Sequence, residues 1–328
     1  MRDRRWWVVA ALAALLLAGA AGVVMVNRAG AAGNAAFEGP VGDGSPTAST
    51  GGPAASDPAT PTAPPSTTGA PSTGPAAPPN RPGTASPKKG ASAWYFNGVT
   101  PALRDVRAAW YYTWGSDSGR IVAPQGVEFV PMIWGAKSVD QATLGRVRTQ
   151  GRALLGFNEP DFASQANMSV EQALDLWLQL MSTGLRLGSP APATGAADAG
   201  GWLDRFMTGA AARGYRVDFI ALHWYGSDFS PRATDQLRGY LDATYRRYHK
   251  PIWLTEYALI RFGSVTRYPS QAQQADFVRA STAMLERLPY VERYAWFALP
   301  ASSTNSTGLY LDGGTPTTVG AAYRAAGA

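Results

Sequence analysis

The sequence contains no cysteine and only two histidines, His223 and His249, among 328 residues. Without cysteine the chain has no disulfide bond, no cysteine nucleophile and no thiolate metal ligand. Two histidines are too few for a zinc site built from several imidazoles. The sequence also has no G-x-G-x-x-G motif and no phosphate-binding loop after a predicted strand. We therefore expect neither a metal nor another cofactor.

The larger part of the chain has almost no excess of positive over negative charge. The net charge is +6, but residues 91–328 carry 22 lysines and arginines against 19 aspartates and glutamates. So small a surplus is not the basic footprint of a nucleic-acid-binding protein, and we expect no nucleic-acid partner. Aromatic residues make up 11% of the chain, with 11 tryptophans, which indicates a folded domain.

The N-terminus predicts export. Three arginines in residues 1–5 precede an uncharged, largely apolar stretch over 6–26. This stretch is long for a cleaved signal peptide and suits a membrane span, although Ala29-Gly30-Ala31 offers a cleavage site. Residues 1–28 are thus a retained signal anchor or a signal peptide, with a buried helix of a soluble protein as the third alternative. An anchored or a secreted chain places everything after Asn27 outside the cell.

Residues 29–88 predict a disordered linker. Thirteen of the 25 prolines lie between residues 29 and 90, among alanine, glycine, serine and threonine. Such a segment cannot bury enough apolar surface to offset the entropy of ordering. The chain therefore divides into residues 1–28, residues 29–88 and a folded domain over residues 89–328. The tether alone would also fit a structural protein that spans a cell wall.

Eight short apolar runs in the last domain predict buried parallel strands, because they do not alternate with polar residues. The predicted strands are 90–95, 106–112, 127–133, 152–158, 185–189, 217–223, 251–256 and 291–297. Amphipathic helices at 169–184 and 232–249 lie between strands. Serine–glutamine pairs at 138/141, 169/172 and 270/273 signal helix starts. Residues 113–126 have no helical pattern, and 100–105 forms one turn at most.

This alternation predicts an α/β fold, a (β/α)8 TIM-type barrel with some short or missing helices. An open, doubly wound sheet is the alternative. In a barrel the active site lies at the carboxyl ends of the strands. Glu159 follows the fourth strand and Glu256 ends the seventh. The polar and aromatic residues predicted around them are Asn158, His223, Trp224, Tyr225, Trp114, Trp134 and Trp296.

Paired carboxylates among aromatic rings favour glycoside hydrolysis. One carboxyl group protonates the leaving oxygen while the other attacks the anomeric carbon or activates water. Aromatic rings offer apolar faces on which a sugar ring can pack. Asn158 is predicted to donate a hydrogen bond to the sugar 2-hydroxyl, and Tyr225 to donate one to Glu256. His223 is predicted to contact the substrate or the nucleophile, with a buried core histidine as the alternative.

Four segments resemble glycoside hydrolase family 128, of the clan of retaining glycosidases with (β/α)8 barrels. They are GFNEPD at 156–161, QANMS at 165–169, DFIALHWYG at 218–226 and WLTEY at 253–257. The resemblance covers residues 90–328. It implies a retaining endo-β-1,3-glucanase with Glu159 as general acid/base and Glu256 as nucleophile.

The partner implied by this resemblance is a β-glucan polysaccharide, and we expect a monomer that meets the membrane only through its N-terminal segment. Two alternatives remain. The barrel can be a glucan-binding module without hydrolytic activity, or it can cleave another β-linkage, such as that of β-1,4-glucan or mannan.

Overall fold

Short strands and helices alternate along the chain from Lys89 onwards. The computed structural model describes residues 86–301 and 307–327, all within one compact unit. The strands are β1 (Lys89–Ser92), β2 (Trp110–Tyr112), β3 (Glu128–Phe129), β4 (Ala153–Leu154), β5 (Arg186–Leu187), β6 (Ile220–Gly226), β7 (Ile252–Leu259) and β8 (Val291–Trp296). The helices are α1 (Val99–Asp105), α2 (Gln141–Gln150), α3 (Val170–Met181), α4 (Trp202–Ala212), α5 (Ala233–Tyr248), α6 (Gln271–Arg287) and α7 (Thr318–Ala325).

All strand pairs are parallel. One sheet has the order β3-β2-β1-β8-β7-β6, and β4 pairs with β5 in a second. Single parallel bridges link Met132 to Leu155 and Gly188 to Phe219, which connects the ends of the two sheets. Each predicted strand overlaps an observed one, so the prediction of an α/β fold with a parallel sheet is confirmed.

The helices cover the sheet with apolar faces. In α3, Val170, Ala173, Leu174, Trp177 and Leu180 are buried. The serine caps predicted for two helices are present, because the side chain of Ser169 accepts from the Gln172 amide and Ser270 forms a capping box with Gln273. Strand β7 is buried along its whole length, as expected for a parallel strand covered on both faces.

Two local predictions were wrong. Ser138 does not cap α2 but ends a short 3₁₀ turn, and Asp140 caps the helix because its carboxylate accepts from the Thr143 amide at 2.9 Å. The segment predicted as one turn at most is the seven-residue helix α1, which starts after Gly98. Gly98 has a φ of 95°, a left-handed conformation that glycine adopts without a steric penalty.

Two adjacent lysines join the start of β1 to the last helices. Lys88 Nζ donates to carbonyl oxygens of Glu286 and Leu288 at 3.0 Å, at the end of α6. Lys89 Nζ donates to the carbonyl oxygens of Tyr323 and Ala326 at 2.5 and 2.6 Å, at the end of α7. These contacts complement the helix C-termini, whose last carbonyls have no partner within the helix.

The predicted export segment (1–28) and nearly all of the predicted linker (29–88) lie outside the described residues. Within residues 86–301 and 307–327, no helix has both the length and the apolar character needed to cross a membrane.

Candidate active site

The two glutamates singled out by the sequence are brought together by strands from different parts of the chain. The Gly156–Asn158 segment continues beyond β4 and approaches the next strand closely. A Cβ atom at Gly156 would lie 2.9 Å from the carbonyl oxygens of Gly188 and Ser189, so glycine is required there. In the β6–β7 pair, His223 lies opposite Glu256. This register places the imidazole next to the second glutamate.

Glu256 is a buried carboxylate that accepts three hydrogen bonds. Its Oε1 atom accepts from Trp114 Nε1 at 2.7 Å and from the Tyr112 hydroxyl at 3.1 Å. Its Oε2 atom accepts from the Tyr225 hydroxyl. Hydrogen bonds to a carboxylate favour its ionised form. The same carboxylate raises the pKa of Tyr112 and Tyr225, after the larger effect of burial, so both phenols remain protonated donors.

Glu159 faces the same space and contacts His223. Its Oε1 atom lies 2.9 Å from His223 Nδ1, and His223 Nε2 lies 3.4 Å from Glu256 Oε1. One oxygen of each glutamate and one ring nitrogen of His223 lie within 4.8 Å of one another. The imidazole is fully buried. It therefore bridges the two carboxylates without access to bulk water.

Burial and charge act in opposite directions on these groups. Burial has the largest effect on Glu159 and raises its pKa. The hydrogen bond and the charge of His223 lower this pKa, whereas the charge of Glu256 raises it. The net shift of the Glu159 pKa is upward. Burial lowers the pKa of His223, but the charge of Glu256 and the contact with Glu159 outweigh this effect and raise it. Both Glu159 and His223 therefore hold a proton more strongly than they would in water.

Two site residues have left-handed backbone conformations. The φ angles of Glu159 and Trp114 are 43° and 57°, a region in which residues other than glycine are uncommon. The Glu159 amide donates to the carbonyl oxygen of Ala191 at 2.8 Å, which holds this turn against the following segment. Such conformations cost of order 1–3 kcal/mol each and tend to occur at functional sites.

Glu159, His223 and Glu256 could also be considered as metal ligands, since they offer one nitrogen and two oxygens. The lone pairs of Glu256 are already directed at the N–H and O–H donors of Trp114, Tyr112 and Tyr225. A cation at Glu256 would have to displace these donors. The donor set therefore fits proton chemistry better than metal binding.

Residues 100–323 match the family described as the glycosyl hydrolase catalytic core. A solved structure from Amycolatopsis mediterranei, a subgroup I endo-β-1,3-glucanase of glycoside hydrolase family 128 with laminaritriose bound, is 65% identical. The alignment covers 75% of this chain and 100% of that chain, with a TM-score of 0.72. The chain belongs to glycoside hydrolase family 128. This confirms the family resemblance found in the sequence.

Other comparisons agree with this assignment. A subgroup II endo-β-1,3-glucanase of family 128 from Sorangium cellulosum is 32% identical, with 73% of this chain and 98% of that chain covered and a TM-score of 0.63. Alkali-sensitive linkage protein 1 of Schizosaccharomyces pombe is 34% identical over 226 residues, or 65% of this chain. The match spans only 39% of the length of that relative.

The Amycolatopsis enzyme has also been crystallised with either of two glutamates replaced, in complexes with laminari-oligosaccharides. The separation of those two glutamates along that chain equals the separation of Glu159 and Glu256 in this family 128 protein.

The other predicted site residues do not all lie near the two glutamates. Asn158, His223, Tyr225 and Trp114 lie beside the two glutamates or contact them. Trp134 is half-buried at the neighbouring strand end, where its carbonyl oxygen accepts a hydrogen bond from the backbone N–H of Asn158 at 2.9 Å. Its indole nitrogen is buried and has no hydrogen-bond partner among the described residues. Substrate contact by Trp134 stays a prediction.

Two predicted tryptophans face away from the carboxylates. Trp224 points to the opposite side of β6 from His223 and Tyr225, and its ring stacks on Phe277 of α6 at 5.7 Å. Trp296 is 0% exposed, and its indole nitrogen donates to the carbonyl oxygen of Thr307 at 2.6 Å. A ring without accessible surface cannot stack on a sugar, so the assignment of Trp296 to substrate binding is corrected to a core role.

Sequence reasoning missed Tyr112 as a site residue. Its hydroxyl lies 3.1 Å from both Glu256 Oε1 and the carbonyl oxygen of Thr255 and shares its one hydrogen between these acceptors. A usable signal was the spacing of Trp110, Tyr112 and Trp114, since residues two apart in a strand share a face. Their rings form a continuous row, with centroids 6.1 Å and then 5.0 Å apart.

Proposed function

We propose that this protein is a retaining endo-glycosidase that hydrolyses β-1,3-glucan. The observation that carries the proposal is the proximity of Glu159 and Glu256, which have carboxylate oxygens within 4.8 Å of one another at a buried histidine. Retaining enzymes hold their carboxyl groups about 5–5.5 Å apart, whereas inverting enzymes leave about 6.5–9.5 Å for a water molecule. The short separation favours retention. The substrate follows from the family 128 glucanases that bind laminari-oligosaccharides.

In the proposed first step, ionised Glu256 attacks the anomeric carbon of a glucosyl unit. The bond to the leaving glucan oxygen breaks, and Glu159 transfers its proton to that oxygen. The raised pKa of Glu159, caused first by burial, keeps the proton available for this transfer. Three donors around Glu256 keep the nucleophile ionised and oriented.

In the second step, ionised Glu159 removes a proton from water, and the water oxygen attacks the anomeric carbon. The bond to Glu256 breaks, the product keeps the β-configuration, and both glutamates return to their starting states. His223 lies between the two groups whose charges change in the cycle. The charges of both glutamates raise the pKa of His223, so whichever carboxylate is ionised stabilises the protonated form of the imidazole.

We also propose that the eight strands close into a (β/α)8 barrel. The pairing of β1 with β8 and the bridges from Met132 and Gly188 support a continuous circuit of parallel strands. Side chains also join strands that are not neighbours in either sheet. Arg293 of β8 contacts Glu128 of β3 at 2.5 Å, and Glu292 of β8 contacts Arg186 of β5 at 2.7 Å. The side chains of both ion pairs are partly exposed, as expected for contacts that span the open end of a closed barrel.

A further proposal concerns location. The arginines before the apolar stretch at residues 6–26 support export, with the barrel outside the cell as a monomer on its linker. Protease treatment of intact cells should remove the barrel from an anchored protein. Fractionation would instead find a cleaved protein in the medium, and size-exclusion chromatography tests the monomer.

The catalytic proposal is tested with laminarihexaose and the glutamate variants. Wild-type protein should release new reducing ends, and Glu159→Gln and Glu256→Ala should abolish turnover while remaining folded by circular dichroism. Azide should rescue Glu256→Ala and give the α-glycosyl azide, whereas rescued Glu159→Ala should give the β-anomer. The matched control is Glu171→Gln, an exposed glutamate in the first turn of α3.

The same assay separates the alternatives. Binding of laminarihexaose without new reducing ends from wild-type protein would favour a glucan-binding module. Faster cleavage of β-1,4-glucan or mannan oligomers would assign another linkage. Near-normal turnover by either glutamate variant would reassign the role of that residue.

A further inference from the structure

The ring of Phe297 lies between two aromatic residues that donate hydrogen bonds to Glu256. It contacts Trp114 and Tyr225 edge to face, with ring centroids 5.9 Å and 5.5 Å away. Trp114 donates to Oε1 of Glu256, and Tyr225 donates to Oε2. One side chain therefore contacts a donor to each oxygen of the same carboxylate.

The position of Phe297 is fixed by the strand that carries Glu256. Its backbone amide donates to the carbonyl oxygen of Tyr257 at 3.2 Å, and Tyr257 directly follows that glutamate in β7. Phe297 is 8% exposed, so nearly all of its surface contacts the protein. The two donor rings come instead from the segment after β2 and from β6. The phenyl ring therefore places these two elements relative to the glutamate.

Both donor rings need such a support. Trp114 has a left-handed backbone, a conformation that persists only where the surrounding structure holds it. Tyr225 is held on one side by Phe262, at a centroid distance of 5.3 Å, and on the other by Phe297. Because aromatic pairs prefer edge-to-face contact, the phenyl ring orients its neighbours as well as filling space.

We propose that Phe297 is a positioning residue that holds Trp114 and Tyr225 so that their donors meet the two oxygens of Glu256. An aliphatic side chain would fill part of the same space without orienting either ring. The inference rests on the proposed function, in which Glu256 must remain ionised and aimed at the anomeric carbon.

The kinetic test is Phe297→Leu in the full-length protein, assayed on laminarihexaose. We expect kcat to fall about 3- to 10-fold, a partial loss of hydrogen bonds to a charged group, with KM changed less than twofold. The matched control is Phe206→Leu. Phe206 is also fully buried between two aromatic rings, those of Trp177 and Trp202. This control should keep the wild-type kcat.

A double variant shows whether Phe297 acts through the donors. In a Tyr225→Phe background, Phe297→Leu should cause a smaller loss of kcat than in wild type, because one of the oriented donors is already absent. An equal loss in both backgrounds would overturn the inference. A raised KM with unchanged kcat in Phe297→Leu would also overturn it, since the ring would then act on the substrate.

Hydrogen exchange of the Trp114 indole N–H tests the same inference without turnover. Its NMR signal is identified by its absence in Trp114→Phe, and its exchange reports how firmly the bond to Glu256 is held. Exchange should be at least about 10-fold faster in Phe297→Leu than in Phe206→Leu, which shows the effect of losing a buried ring elsewhere. Equal exchange in the two variants would refute the positioning role, whereas an inactive wild-type protein would refute only the proposed function.

Circular dichroism checks that each variant is folded. Phe297→Met, with a flexible side chain closer in volume to phenylalanine, takes the place of Phe297→Leu if the latter does not fold. It lacks the flat ring, so the same loss of kcat and the same faster exchange are expected.

Discussion

The charge of the buried imidazole at position 223 depends on its two carboxylate neighbours, and this dependence can be measured without turnover. Burial lowers the pKa of His223, while Glu256, then Glu159 and then Asp161 raise it. Replacing Glu256 with glutamine removes the largest of the raising effects and leaves the burial unchanged. The pKa of His223 should therefore fall in Glu256→Gln, and it should fall in Glu159→Gln as well.

The size of this effect follows from the geometry. His223 Nε2 lies 3.4 Å from Glu256 Oε1. At an effective dielectric constant of about 20, two unit charges at that distance interact by about 5 kcal/mol. Hydrogen bonds from Trp114, Tyr112 and Tyr225 disperse part of the charge on Glu256, so the observed change will be smaller. We expect the proton-binding constant of His223 to fall about 10- to 1,000-fold, the usual range for loss of a close opposite charge.

The assay is an NMR titration of imidazole signals in wild-type protein, Glu256→Gln and Glu159→Gln. Only His223 and His249 contribute, and His249 is exposed on the loop before β7. The signal of His249 serves as the internal control. A His223 signal that titrates at the same pH in all three proteins would refute the proposed coupling of the two carboxylates through this imidazole.

Three further predictions concern single side chains. Tyr225→Phe removes a hydrogen-bond donor to Glu256 and should lower kcat/KM about 10- to 100-fold, the effect of a hydrogen bond to a charged group. The control is Tyr290→Phe, which removes a phenol from the carboxylate of Asp242 and should leave kcat/KM unchanged. Trp296→Ala should destabilise the domain by about 3–5 kcal/mol in urea melts. The more conservative Trp296→Phe should leave KM unchanged, and an increased KM would show that Trp296 contacts the substrate after all. Burial lowers the pKa of Lys89 to about 7 in the folded protein, whereas the pKa of an unfolded lysine is near 10.4. Between these two pH values the unfolded chain binds more protons than the folded protein, so the free energy of unfolding rises with pH. Urea melts at pH 6 and pH 9 should measure the free energies of unfolding of wild type and Lys89→Met. The difference between the two proteins should shift in favour of wild type at pH 9, and the same difference at both pH values would contradict this prediction.

The positions of the strands could be predicted because buried parallel strands are continuous apolar runs between polar segments. Their lengths could not, since β3, β4 and β5 each keep only two residues in regular pairing. Backbone pairing depends on how neighbouring strands twist and curve, which apolar patterns do not encode. Helix starts depended on competition between nearby caps, as Asp140 and Ser138 illustrate.

The glutamate pair could be found from sequence because both residues follow apolar strands and the chemistry needs two carboxylates. The surrounding aromatic residues were harder to assign, because tryptophan is equally common in a core and at a sugar-binding surface. Alternation along β6 would have separated Trp224 from His223 and Tyr225, since neighbouring residues in a strand point to opposite faces. For Trp296, the deciding contact with Thr307 comes from a segment beyond the strand.

The site has two parts: paired strands hold the charged groups Glu256 and His223, and a folded loop holds Asn158 and Glu159. Glu256 and His223 lie in a register fixed by the β6–β7 pair, so their separation changes only if the sheet itself deforms. Glu159 and Asn158 instead begin a loop whose shape depends on a left-handed residue and on backbone bonds within the loop. Substitutions in the loop should therefore alter substrate positioning while the charge coupling at Glu256 persists.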